Sequence, residues 1–185
     1  MKVFCIGRNK TGTTSFQKWM NNVKLNVCPQ PLGEEALAKW GQGDFSDLVK
    51  YSEKYQGFQD LCWNLDGVPQ LMYSLYPDAY FVLTVRESED VWYDSLIRYM
   101  NKTKPKTMAG LGRTKRHKLI YGCEIENAEQ TKNHYLKYNQ TMIDFFTQKQ
   151  ANFMVLEIPS DNIPERLSQF TGLPIAHFPH ANKSR

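Results

Sequence analysis

The stretch Gly7-Arg8-Asn9-Lys10-Thr11-Gly12-Thr13-Thr14 concentrates groups that hold an anion. Two glycines let a short loop turn its backbone N–H groups inward, and a lysine and three threonines sit between or beside them. The loop follows an apolar run, Val3 to Ile6, and leads into a helical pattern, Thr14 to Val23. A helix N-terminus adds partial positive charge to such a cradle. The spacing fits a phosphate loop, but an ATP-type loop carries its lysine directly after the second glycine. Thr13 stands there instead, and the lysine, Lys10, comes two residues before that glycine. The plain alternative is a turn that merely joins a strand to a helix.

A second block runs from Tyr80 to Ser95. An apolar strand ends at Arg86, and Ser88 is placed to cap a helix, with no Glu at the third helical position to complete a capping box. Arg86 then stands at the C-terminal edge of a sheet, where open α/β folds bind ligands. Its guanidinium offers a planar fork for a phosphate, and Ser95, about two turns into the helix, offers a hydroxyl. The bland reading of Arg86 is an ion pair with Glu87 or Glu89.

Four apolar runs read as buried parallel strands: Val3 to Ile6, Gly57 to Gln59, Tyr80 to Val85 and Phe153 to Ile158. Helical patterns separate them: Thr14 to Val23, Glu34 to Trp40, Phe45 to Tyr55, Val68 to Leu75, Glu89 to Met100, Ala128 to Gln148 and Ile163 to Phe170, the last stopped by Gly172. This alternation predicts a three-layer α/β/α fold with a mostly parallel sheet of four to five strands, of the P-loop type. At 185 residues the chain suits one domain, 1–185.

Composition narrows the function less than the motifs do. A net charge of +4 supports an anionic ligand weakly and nucleic acid not at all. The four cysteines form no C-x-x-C pair, so no zinc or redox motif is predicted. No secretory leader or run of about 20 apolar residues is visible, which makes a cytoplasmic setting the expectation. Between Asp94 and Glu124 there is no acidic residue, while Arg98, Lys102, Lys104, Lys106, Arg113, Lys115, Arg116 and Lys118 fall there. Segment 102–127 reads either as a solvated basic surface or as a lid or acceptor-side insertion over an anionic ligand.

The loop Gly-x-x-Lys-Thr-Gly-Thr-Thr resembles the 5′-phosphosulfate loop of sulfotransferases that use 3′-phosphoadenosine 5′-phosphosulfate (PAPS). The strand–Arg–turn–helix block resembles the 3′-phosphate motif of the same family. Pro77-Asp78-Ala79-Tyr80-Phe81 and Trp92-Tyr93-Asp94-Ser95 fit the branch with a Trp-Tyr-x-Ser helix, although nine residues separate Arg86 from Ser95 and the family more often has eight. Phe178-Pro179-His180-Ala181-Asn182-Lys183 resembles the closing Pro-His-x-Asn segment of that branch.

The resemblance implies sulfuryl transfer from PAPS to an acceptor hydroxyl or amine, releasing 3′-phosphoadenosine 5′-phosphate (PAP). It implies cofactor contacts from Arg8, Asn9, Lys10, Thr11, Gly12, Thr13, Thr14, Ser15, Arg86, Ser95, His180, Asn182 and Lys183. Lys10 would neutralise the leaving phosphate, so no metal is expected. Asp60 is the first candidate for general base, since Phe58-Gln59-Asp60-Leu61-Cys62-Trp63 resembles a strand–Asp–x–Pro segment with Cys62 in place of the proline. His117 and His134 are rivals for that role. Trp40, Trp63, Tyr73 and Tyr76 could line an acceptor pocket or simply belong to the core. The alternatives in other classes are a P-loop small-molecule kinase and a nucleotide-binding module without catalysis. The acceptor is not legible.

Overall fold

The computed structural model describes residues 1–102 and 113–179. His180, Asn182 and Lys183, and the middle of the basic segment with Lys104 and Lys106, lie outside the described residues. Four strands, β1 (Val3–Cys5), β2 (Gly57–Phe58), β3 (Tyr80–Val85) and β4 (Phe153–Glu157), form one parallel sheet in the order β2-β1-β3-β4. Helices cover it on both sides, as the alternating pattern predicts. The chain runs from β1 outward to β2 and then back across to β3. The strand order therefore reverses between β1 and β3, and a crevice opens there at the C-terminal edge.

Two cores lie against the two faces. Phe4, Ile6, Phe58, Phe81 and Leu83 point into the larger one, and Val3, Cys5, Val82, Leu156 and Ile158 into the smaller. The pairing register sets a row of phenylalanines across all four strands: Phe58 opposite Phe4, Phe4 opposite Phe81, Phe81 opposite Phe153. Phe4 stacks on Phe58 at 4.3 Å and on Phe81 at 5.2 Å between ring centres. Such pairs contribute about 0.5–1.5 kcal/mol each beyond their burial. A slip of one residue would turn the row out of the core, so it fixes the register.

The helices α1 (Thr13–Asn22), α4 (Ser46–Lys54), α5 (Val68–Leu75), α6 (Glu89–Lys102), α8 (Ala128–Gln148) and α9 (Ile163–Thr171) match the sequence patterns to within a residue or two. Ser88 caps α6 by accepting from the Val91 amide at 3.2 Å. Two regions differ from expectation. The single helix anticipated over Glu34 to Trp40 is two short ones, α2 (Gln30–Glu35) and α3 (Leu37–Trp40). Gly33 has no helix-forming advantage, but a side chain there would run into the Leu61 carbonyl, so close packing decides its place. A further helix, α7 (Arg113–Tyr121), lies in the basic segment, whose charges hid the pattern. Among the described residues no helix is long and apolar enough to cross a membrane.

Candidate active site

The Gly7–Thr14 loop fills the crevice between β1 and β3. Gly7 is set by close approach, because a Cβ there would overlap the carbonyl and hydroxyl oxygens of Thr84 on β3. Lys10 and Gly12 both sit in the left-handed region, at φ 72° and 92°. That conformation costs a non-glycine residue on the order of 1 kcal/mol, and it persists where the surroundings impose it.

The surroundings impose it through the loop's carbonyls. Four in succession accept a side-chain donor. Ile6 takes Tyr138 Oη at 2.7 Å, Gly7 takes Asn64 Nδ2 at 3.0 Å, Arg8 takes Thr11 Oγ1 at 2.6 Å and Asn9 takes Trp92 Nε1 at 2.9 Å. With these acceptors tied behind the loop and the Thr11 amide turned back to the Arg8 carbonyl at 3.3 Å, the open side is left to Lys10 and the start of α1. Gly12 opens α1 without a side-chain cap, so the helix end faces the same space.

Not every loop side chain faces that space. Arg8 is only 1% exposed. It donates to the Asn64 carbonyl and pairs with Asp66, both at 2.6 Å, and its guanidinium lies 3.7 Å from the centre of the Tyr138 ring. Thr11 is fully buried and shares a 2.7 Å hydrogen bond with Thr84. Asn9 receives Tyr121 Oη on its side-chain oxygen at 2.8 Å. These three build the loop and have chiefly their backbone to offer a ligand.

Lys10 goes the other way. Its ammonium lies 4.5 Å from the centre of the Tyr99 ring, on α6. Burial lowers its pKa; Asp60 opposes that, while Arg86 and Arg98 add to it. Two further cations, Arg86 and Arg98, thus act on the Lys10 ammonium. An incoming anion would relieve that repulsion. Arg86 directly follows β3, and its amide donates to Tyr135 Oη at 3.1 Å. Its Nε is buried with no hydrogen-bond partner, as suits a donor that a ligand completes. Ser95 lies between Trp92, which holds Asn9, and Tyr99, which carries Lys10, so all three stand on the loop-facing side of α6.

Asp60 follows β2 at φ 60°, a left-handed position that aspartate tolerates. Its carboxylate accepts from Thr13 Oγ1 at 3.0 Å and from the Leu61 amide at 2.9 Å. The Thr13 hydroxyl proton is thus directed to Asp60 rather than into the cradle. Burial pushes the Asp60 carboxyl up, although these hydrogen bonds and the charges of Arg116 and Lys10 pull the other way. The residue keeps an accessible edge, so a substrate could reach it.

The two candidate histidines, His117 and His134, stand apart from this arrangement. His117 is buried, faces the Thr131 hydroxyl at 3.3 Å and lies 4.5 Å from the Tyr121 ring. Burial pushes its pKa down to about 4. His134 sits behind the loop, 3.4 Å from Asp66 and 3.5 Å from Arg8. Trp63, Tyr73 and Tyr76 pack in the aromatic core, which leaves Trp40, half-buried and donating to the Asp66 carbonyl at 3.1 Å. Sequence reasoning missed Tyr99, Asn64, Tyr121 and Tyr138, because none carries a local spacing signal. Trp92 was visible inside the Trp-Tyr-x-Ser run but not as a brace of the loop. Among the described residues no group of three His, Cys, Asp or Glu is placed to hold a metal ion.

No curated protein gives a significant match to the chain. The family model described as a sulfotransferase domain matches residues 2–185. The cradle at the β1–β3 crevice, with its lysine displaced from the ATP-type position, thus belongs to a member of the sulfotransferase-domain family, a transferase enzyme.

Proposed function

We propose that the chain transfers a sulfuryl group from PAPS to a hydroxyl of an acceptor, by in-line displacement without a metal. One observation carries this reading. The loop's carbonyls are tied behind it, α1 starts beside it without a side-chain cap, Arg86 directly follows β3 with its Nε unpartnered, and Asp60 is bonded to Thr13 on its edge. PAPS supplies a sulfuryl group on a phosphate that gains charge as it leaves.

The residues divide the work by position. The amides at the start of α1 and the Lys10 ammonium are placed to meet charge that grows on the leaving phosphate, as an oxyanion hole does. Lys10 would leave the Tyr99 ring to do so. Arg86, with its unpartnered Nε, is placed for the 3′-phosphate, and Ser95 stands on the same helix face for a further hydrogen bond. Asp60 is the residue placed to take the acceptor proton. Its raised pKa brings it closer to the operating range of a general base. Thr13 and the Leu61 amide orient its oxygens. A kinase reading would need lysine at position 13, where Thr13 is bonded to Asp60 instead.

The test is release of PAP from PAPS in the presence of an acceptor panel, with wild type and Lys10→Ala in parallel. The expected result is turnover that falls about 100- to 1,000-fold in the variant while PAP affinity changes far less. Equal losses in both would make Lys10 a ground-state anchor, and wild type without turnover would point to a binding module.

A further inference from the structure

Behind the donor loop, between α5 and α8, lies a cavity of about 230 Å³ that the transfer chemistry does not use. Two braces of the loop line it. Tyr138 donates to the Ile6 carbonyl, and Asp66 pairs with the Arg8 guanidinium at 2.6 Å. The Asp66 side chain is 55% exposed, so a molecule in the cavity can reach it. From α5 comes Gln70, half-buried, with no hydrogen-bond partner on its amide oxygen. That amide can turn to a ligand without giving up a bond at its oxygen. From α8 come Lys137 and Thr141, one turn apart on one face, and the buried Met142 adds apolar surface. The α5 side thus offers acceptors and a negative charge, and the α8 side offers a cation.

Walls of opposite sign select what enters. A simple anion gains Lys137 but meets Asp66. A simple amine gains Asp66 but meets Lys137. An apolar molecule would take water from both charges and pair neither, which is costly. A molecule carrying both signs pairs with each wall. We propose that this cavity is a second binding site, for a small zwitterion of the α-amino acid type. Its ammonium binds Asp66 and the Gln70 amide oxygen, its carboxylate binds Lys137, and its side chain lies on Met142. Sites for drug-sized ligands span about 300–1,000 Å³, so this smaller space suits a single amino acid. The ligand's ammonium shares Asp66 with Arg8. Arg8 is buried, and a buried cation that loses part of its carboxylate costs free energy. That cost falls on the loop to which Arg8 belongs. Occupancy therefore weakens donor binding, and by linkage the donor weakens amino-acid binding by the same factor. The coupling rests on the PAPS reading above; the site itself does not.

Calorimetric titration of the full chain with L-alanine, L-serine and L-methionine tests the site without any nucleotide. Propionate and ethylamine, which carry one charge each, are the controls. At least one amino acid should bind about tenfold or more tightly than either control. Lys137→Gln should weaken that binding about tenfold or more, and Gln70→Ala about two- to tenfold. PAP affinity of both variants, measured without amino acid, should stay within about twofold of wild type. With the cavity saturated, wild type should bind PAP about fivefold or more weakly. No binding by any amino acid, equal binding of a control, or binding that neither substitution alters would overturn the site. Amino-acid binding with PAP affinity unchanged or raised would overturn the coupling alone. Amino-acid binding by a chain that does not bind PAP would remove the donor reading and leave the site standing. A sulfated amino acid formed from PAPS would make the cavity part of the acceptor site and overturn its separate role.

Discussion

The two sides of the crevice are built differently. The donor loop hangs between two central strands, and its carbonyls are held from α6, from α8, from the Asp60–Asp66 segment and from within the loop. Nearly every brace is buried. The opposite wall uses α2 of six residues, α3 of four and α7 from the basic segment. It meets the rest where Gly33 rests on Leu61, where Trp40 donates to the Asp66 carbonyl and where Tyr121 donates to Asn9. The loop thus sits on the rigid part of the fold, and the wall on short elements, of which α7 reaches the loop through Tyr121 and its bond to the Asn9 side chain. In the proposed reading, the transfer chemistry belongs to the first side and selection among acceptors to the second.

Substitutions should divide along that line. Asp60→Asn joins the two sides and has the largest expected effect on turnover, a loss of about 10²–10⁴. It should also raise stability at neutral pH. Because burial pushes the Asp60 carboxyl up, the folded chain keeps a proton at pH values where the unfolded chain has lost it. Stability from this group therefore falls as pH rises from the ordinary value of 3.8 through the raised folded value. Asn removes that cost, so an inactive variant with a higher Tm at pH 7 is expected; an unchanged rate would remove Asp60 from the chemistry. The same raised pKa predicts that wild-type kcat/KM falls on the acid side above the ordinary carboxylate range.

Gly7→Ala should damage the donor side alone. The added methyl meets the Thr84 backbone, and overpacking of this kind costs about 1–3 kcal/mol. A Tm lower by several degrees and a parallel loss of PAP binding are expected. A normal Tm would mean that the loop yields more readily than its braces suggest. Arg86→Ala should leave the fold intact and erode the preference for PAP over ADP by about tenfold or more, since a charged hydrogen bond is worth about 1.5–3 kcal/mol. An unchanged preference would place the 3′-phosphate elsewhere. Trp92→Phe is the mildest. It retains the stack on Tyr135 at 4.2 Å but drops the bond to the Asn9 carbonyl, worth about 1 kcal/mol. Its effect should appear in PAP affinity and not in the ranking of acceptors, which separates the two sides most finely.

Much of the donor side was legible because it is local. The strand, the glycines, Lys10 and the start of α1 are consecutive, and Arg86 directly follows a strand of strong β pattern. Parallel β3 and β4 were visible for the same reason. Illegible were contacts that depend on distant packing. Tyr138 reaches Ile6 and Tyr121 reaches Asn9 across more than a hundred residues, and no spacing rule links them. Arg8 looked like a ligand contact from its place in the loop, yet Asp66 and Tyr138 draw its side chain into the interior. The acceptor wall was hardest to read. Gly33 and Gln30-Pro31 weaken any helix pattern there, and α7 is so charged that it has almost no apolar stripe. His117 and His134 stood out only by residue type, and their surroundings assign them to packing and to the back of the loop.

The central claim is that the crevice is made for a nucleotide with a 3′-phosphate. Calorimetric titration of the full chain with PAP, ADP and ATP–Mg²⁺ tests it most directly. PAP should bind at least about tenfold more tightly than ADP, a difference of 1.4 kcal/mol, and ATP–Mg²⁺ should not compete with it. Binding of ATP–Mg²⁺ with no preference for PAP would contradict the claim and make Asp60 a metal-ligand candidate in a kinase.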